Sequence, residues 1–232
     1  MTANKNKKLN IKVGEQEFLR LPVKTHLITA KDDLSKVLNQ YLAGRLQKND
    51  LVFLSEKMVA ISQNRFYPIS QVRPSFLARF LSKFVSKRPG GIGLAMPETM
   101  QAALMEVGVV RILFACFGAL ITKPLGIKGV FYNIAGNGAR AIDGPTQNTI
   151  APYNNCVVKG PKNPQETAQK LSYVLKTAVA IVDVNDWGSR VIGQSKPAPF
   201  RRRVIEQALK DNPLGQCDES TPLGILRQNK TG

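Results

Sequence analysis

Histidine occurs once in this chain, as His26, and the cysteines are Cys116, Cys156 and Cys217 alone. A lone histidine leaves Ser–His and Cys–His nucleophilic chemistry to that one residue, which is expected to be packed or solvated instead. Three widely spaced cysteines make neither a disulfide framework nor a CxxC metal site, which points to a reducing compartment. No GxxxxGK(S/T) stretch is present, so the standard phosphate-binding loop is excluded. The first residues are basic, but no apolar run follows them, so no secretory signal is read there. The most apolar stretch, 107–122, contains Arg111 and is too short to span a bilayer. With Val110, Leu113, Phe114, Phe117 and Leu120/Ile121 at helical spacing, it is expected to be a buried helix. From these absences the chain is expected in the cytoplasm, without a membrane partner.

Acidic residues are also scarce. Sixteen Asp and Glu stand against thirty-three Lys and Arg, giving +17 and a pI near 10.0. Such an excess favours a polyanionic partner. Aromatics are only 7% and no nucleic-acid signature accompanies the charge, which argues against nucleic acid. The basic clusters (Lys5, Lys7, Lys8 and Lys12; Lys83, Lys87 and Arg88; Arg201 to Arg203) are read as solvated surface, part of it lining an anion site. A basic nucleic-acid-associated protein stays as an alternative.

What is present suffices for a core. Hydrophobic residues make up 43% of 232, enough for one domain of 17–228, as one body or as two lobes, between a basic arm (1–16) and a short tail (229–232). Apolar spacing predicts helices over 32–46 and 76–85, the latter with Phe76, Leu77, Phe80, Leu81 and Phe84 inward. Further helices are expected from Pro97, over 165–178 and over 201–209. Strands are predicted at 50–54, 58–62, 179–184 and 223–226, with Gly-, Asn- and Pro-rich loops and strands over 126–161 and a loop over 185–190. Helices and strands intermix, so an α/β (α+β) architecture is expected.

Three polar clusters could carry chemistry. Asp143 precedes a Gly-Pro turn, where a carboxylate is turned toward a cleft or bonds its own backbone. Asp183 and Asp186 follow a buried apolar run; carboxylates at a strand end can hold a hard cation, or an Asx turn can cap the strand. Gly215, Gln216, Asp218 and Glu219 open a polar loop before Pro222. Lys57, beside Ser55, is a point charge suited to a phosphate, or a solvated lysine.

In this order the segments resemble the coenzyme F420-0:L-glutamate ligase family. The resemblance rests on Leu21-Pro22, on Ser55-Glu56-Lys57-Met58-Val59-Ala60, on Ala135-Gly136 through Asp143, on Asp183 and Asp186, and on Gly215-Gln216-Cys217-Asp218-Glu219. It implies a mixed α/β homodimer in two lobes. It implies an enzyme that uses GTP (or ATP) and Mg2+ or Mn2+ to join L-glutamate to the carboxylate of a phosphorylated deazaflavin through an acyl-phosphate. It assigns Leu21, Pro22, Ser55, Lys57, Gly215, Gln216, Asp218 and Glu219 to the nucleotide. Asp143, Asp183 (or Asp186) and Gln216 are assigned to metal, with Lys57, Asp143 and Asp183 as the catalytic group. Asn137-Gly138 stands where the family usually has an aspartate, so Asp143 takes that place and the acceptor need not be the deazaflavin. A non-catalytic homologue that binds nucleotide or deazaflavin is the further alternative.

Overall fold

The computed structural model describes residues 2–85, 93–127, 129–215 and 219–229. In chain order it contains β1 (Asn10–Val13), β2 (Gln16–Val23), α1 (Leu34–Leu42), β3 (Leu51–Ser55), α2 (Glu56–Ser62), β4 (Phe66–Pro68) and α3 (Phe76–Ser82). Then follow α4 (Pro97–Val107), α5 (Val109–Thr122), α6 (Val130–Arg140) and β5 (Cys156–Val158). The chain closes with α7 (Pro164–Leu175), β6 (Ala178–Asn185), β7 (Gly188–Gln194), α8 (Arg202–Leu209) and β8 (Leu223–Gln228). The protein is a mixed α/β chain, as its intermixed pattern predicts. It forms two compact units, one of Met1–Asn64 with Pro161–Gly232 and one of Arg65–Gly160.

The first unit is built on a six-stranded sheet in the order β1-β2-β8-β3-β6-β7. Only β3 and β6 run parallel; the other neighbours are antiparallel. Central β3 is buried on both faces, which is why LVFLS reads as an unbroken apolar run. Leu51 and Phe53 face a core completed by Ile205, Ala208 and Leu209 of α8, while α7 packs against β6 and β7. Pro22 is tolerated in β2 because β1 pairs only with residues 16–19, so no ladder bond on that side is asked of it.

Two ion pairs, each with one buried partner, fasten segments around this sheet. The Arg20 guanidinium, 1% exposed, bonds Asp211 and the carbonyl oxygens of Lys8 and Ala208. Arg227 grips Asp50 through two hydrogen bonds of 2.8 Å, from Nε to Oδ1 and from Nη2 to Oδ2. The hydrogen bonds it donates to Asp50 raise the Arg227 pKa against the opposing effect of burial.

The second unit packs α3 to α6 around Leu81, Leu94, Met100, Ile112, Phe131 and Ile142, beside the antiparallel pair β4–β5. Beneath it, Glu106 receives both Arg65 and Lys159, the latter with Nζ at 3.2 Å. Burial would raise the Glu106 pKa, but the hydrogen bonds and charges of Arg65 and Lys159 outweigh it and hold the carboxyl below its ordinary value.

Several expectations are corrected. Residues 58–62 belong to helix α2, not to a strand: the Ser55 hydroxyl accepts from Met58 N at 3.2 Å and caps it. Four consecutive buried residues, Met58 to Ile61, have no period that separates strand from helix. Within 126–161, expected as loop and strand, α6 forms because Phe131, Ala135 and Ala139 repeat at helical spacing against the core. Its break falls at Gly136 (φ 82°), where Arg111 lies close and its Nε donates to the Ile134 carbonyl at 2.8 Å. The expected loop 185–190 is a tight turn leading into β7. Helices α3 and α5 form, but their apolar faces are buried only in part; in α3, Leu81 is buried as expected and Leu77 packs against the core. Phe76 is 85% exposed, and Phe80 and Phe84 are also outward. In α5 only Ile112 and Ala115 are fully buried, whereas Phe114, Phe117 and Leu120 are 64%, 60% and 65% exposed.

Candidate active site

Strand register decides which candidate residues share an end of the large sheet. Ser55 stands opposite Val182 in the parallel pair β3–β6, and Leu54 stands opposite Leu223 of antiparallel β8. On the other side of β8, Pro22 pairs with Gly224 and Val23 with Leu223. The C-terminal ends of β2, β3 and β6 and the N-terminal end of β8 therefore lie together. Leu21, Pro22, Ser55, Asp183 and the segment entering β8 are carried to this one end, the location at which open α/β sheets bind ligands.

Backbone and side chains hold the ends in place. Ser55 N donates to Pro222 O, and Thr25 N to Ser220 O, both at 2.9 Å. Lys57 follows Ser55 in the first turn of α2. The N-terminal segment is pinned to the same end. Asn4 Nδ2 donates to Thr221 Oγ1 at 2.7 Å and to Pro213 O at 3.0 Å, and Thr221 Oγ1 donates to Leu214 O. Lys5 N donates to Glu219 Oε1 at 3.2 Å. Gly215 sits where these pieces meet: its φ is +70°, and a Cβ there would fall 2.9 Å from Glu219 Cγ and 3.2 Å from Asn4 Nδ2. A side chain would be strained by conformation and by crowding alike.

Between the pinned segment and the strands lies a cavity of about 360 Å³. Asn4, Pro22, Lys24, Arg45, Glu219 and Thr221 are among its lining residues. Its size is that of a site for a small molecule or part of one. Lys24 and Arg45 give it two cations, with Glu219 as the opposing charge. Sequence reasoning reached Pro22 and Glu219 but missed Asn4, Lys24, Arg45 and Thr221. Polar residues of a basic N-terminal run carry no signal that one of them closes a pocket some 200 positions away.

The acidic candidates separate into different settings. Asp183 is partly buried in β6, opposite Arg190 of β7. Asp186, in the turn, is exposed and ion-paired with Lys7 Nζ at 3.0 Å, while that ammonium also donates to Asp211 O at 2.7 Å. Asp143 belongs to the second unit, where its backbone exchanges two 2.9 Å hydrogen bonds with Val158. Gln216 and Asp218 lie outside the described residues, as does most of the Gly-rich stretch 88–94. Among the described residues no three His, Cys, Asp or Glu side chains gather as a metal cluster.

His26 has a structural setting. Its ring nitrogens lie 2.9 Å from the Tyr41 hydroxyl and 3.0 Å from Asp32. Burial pushes the Asp32 pKa up, but hydrogen bonds from Thr29 and His26 together hold it below its ordinary value. Cys116 and Cys156 are free thiols, each raised in pKa by burial, so neither is poised as a thiolate nucleophile.

Compared with known proteins, residues 22–186 match the family model described as F420-0:Gamma-glutamyl ligase. The match takes in the C-terminal part of β2, all of the second unit and β6, and stops before α8 and β8. No curated protein matches the chain.

Proposed function

The chain belongs to the F420-0:Gamma-glutamyl ligase family, and from that premise we propose that it uses a nucleoside triphosphate and a divalent metal to join L-glutamate to a carboxylate acceptor. The acceptor class is an anionic carboxylic acid such as a phosphorylated deazaflavin. The observation that carries this reading is the register that brings Leu21-Pro22, Ser55, Asp183 and the Glu219 loop to one sheet end, beside a basic-lined cavity.

A free carboxylate is a poor acylating agent. In the proposed reaction an acceptor oxygen takes the terminal phosphoryl group, forming an acyl-phosphate and releasing nucleoside diphosphate. The glutamate amine then attacks the acyl carbon, the amide bond forms, the C–O bond to phosphate breaks and the amine loses its proton. Both steps ask the protein for alignment and charge neutralisation more than for a nucleophilic side chain. That suits a chain with a single histidine and raised thiol pKa values.

In this reading Lys57, Lys24 and Arg45 hold phosphate oxygens, and Leu21-Pro22, Gly215 and Glu219 border the nucleotide. Asp183, and Gln216 as the resemblance assigns it, offer oxygen donors only, the chemistry that suits Mg2+ or Mn2+; Asp143, which the resemblance also assigns to metal, lies in the second unit. Such an ion, when bound, neutralises phosphate oxygens. Asp183 is preferred over Asp186 because it is partly buried at the strand end, whereas Asp186 is exposed in the turn.

The test incubates the purified chain with GTP or ATP, Mg2+ or Mn2+, L-glutamate and F420-0, reading nucleoside diphosphate and the glutamylated product by mass spectrometry. Amide formation coupled one-to-one to nucleotide cleavage is expected. Asp183→Asn should lower turnover at least ~100-fold with unchanged melting temperature. Product formed without nucleotide consumption, or full activity in Asp183→Asn, would overturn the assignment.

A further inference from the structure

Apart from Arg111, whose Nε donates to the Ile134 carbonyl of α6, helix α5 is apolar nearly all round, a composition that ordinarily marks a helix enclosed by protein or lipid. One side is enclosed: Ile112 and Ala115 are fully buried, and α5 packs along α6. The other side is open. Val110, Leu113, Phe114, Phe117, Leu120 and Ile121 recur at helical spacing, so they form one continuous stripe, and every one is exposed. Leu125 and Ile127 extend exposed apolar surface just past the helix end. Helix α3, which like α5 packs against α4, exposes Phe76 and Phe80, with Phe84 just beyond it. Scattered surface apolar residues need no explanation, but a stripe of this length does.

Charge selects the occupant. From Arg73 to Lys128 the sequence holds eight Lys and Arg, and only Glu98 and Glu106 are acidic. Glu106 is already taken by Arg65 and Lys159. Arg79 and Lys83 alternate with the exposed phenylalanines of the α3 segment, and Lys123 closes α5; all three are exposed. A second copy of this face would bring a like-charged surface against it, in a chain that already carries +17. An anionic bilayer complements both features, because basic side chains meet headgroups while phenylalanines and leucines enter the acyl boundary. Fourteen residues rise only about 21 Å, short of the hydrocarbon thickness, and α4 and α5 meet at a 118° bend. The geometry is that of a helix lying in the interface.

We propose that the exposed apolar stripe of α5, together with the exposed cations Arg79, Lys83 and Lys123 of the same unit, docks the protein onto anionic lipid bilayers as a peripheral, interface-lying helix. This is independent of the ligase reading and would stand if that reading fell.

Flotation of the full chain with phosphatidylcholine vesicles, with and without about a third phosphatidylglycerol, tests it. Binding to the anionic vesicles and little to the neutral ones is expected, weakening as salt rises. Phe114→Ser/Phe117→Ser should lower the vesicle-bound fraction at least tenfold with an unchanged circular dichroism spectrum. Leu120→Gln serves the same purpose with a milder change, and Lys83→Glu/Lys123→Glu should weaken binding through charge alone. The proposal is overturned if the native chain stays unbound, or if the folded phenylalanine variant floats as well as the native chain. A dimer in sedimentation velocity that the phenylalanine variant dissolves, with vesicles ignored, would assign the face to a second copy and overturn it equally.

Discussion

Glu106 shows how one side chain's setting becomes a property of the whole unit. Its carboxyl is a stronger acid folded than its ordinary value of 4.5, through Arg65 and Lys159 acting against burial. The folded state thus binds fewer protons than the unfolded chain. The resulting stability is fully present above pH 4.5 and is lost as pH falls through the lower folded value. Glu106→Gln should flatten that acid limb. It should also cost about 1–2 kcal/mol at neutral pH, a solvent-screened fraction of a fully buried pair, because Arg65 and the buried Lys159 lose their counter-charge. Denaturant melts of both proteins at a series of pH values check the two effects together. None of this was legible beforehand, since Arg65, Glu106 and Lys159 are brought together only by folding. The same holds for Arg20 with Asp211 and for Arg227 with Asp50.

At the scale of elements, apolar periodicity was informative wherever it was unambiguous. The 3.6-residue repeat located α1 and a first-turn proline pointed to α4, while α7, α8, β3, β6 and β8 lie within a few residues of their expected places. Periodicity failed where no period exists, in the four apolar residues of α2, and where glycines masked a helix, in α6. It also misjudged orientation in α3 and α5, because a stripe shows which residues share a face and not whether anything covers it. The loop entering β8 gives a prediction of its own. Gly215→Ala puts an L-residue at φ +70° and crowds Glu219 and Asn4. It should destabilise by about 1–2 kcal/mol. It should also loosen the N-terminal segment, so that trypsin cuts at Lys5, Lys7 and Lys8 sooner than in the native chain.

For the molecule as a whole, +17 is the dominant electrostatic fact. Self-repulsion opposes compactness, so raising ionic strength from about 10 to about 150 mM should screen it and raise the melting temperature. A gain of about 2–4 °C corresponds to roughly 1 kcal/mol in a chain of this length. Thermal scans in sodium chloride give the measurement, and a falling melting temperature would show that specific ion pairs dominate instead.

The sequence by itself determined the mixed α/β class, the family and most elements, because periodicity and local motifs are encoded by residues within a few positions of one another. It also carried Leu21-Pro22, Ser55, Lys57, Asp183 and Gly215 as an ordered set. Tertiary structure alone decided that strand register brings β2, β3, β6 and the entry to β8 to one end. It alone decided that Asn4 closes a cavity there, and that Lys7 holds Asp186 while Asp183 is held in the strand. Burial and ion pairing depend on which distant segments pack together, and that is settled by the folded arrangement as a whole.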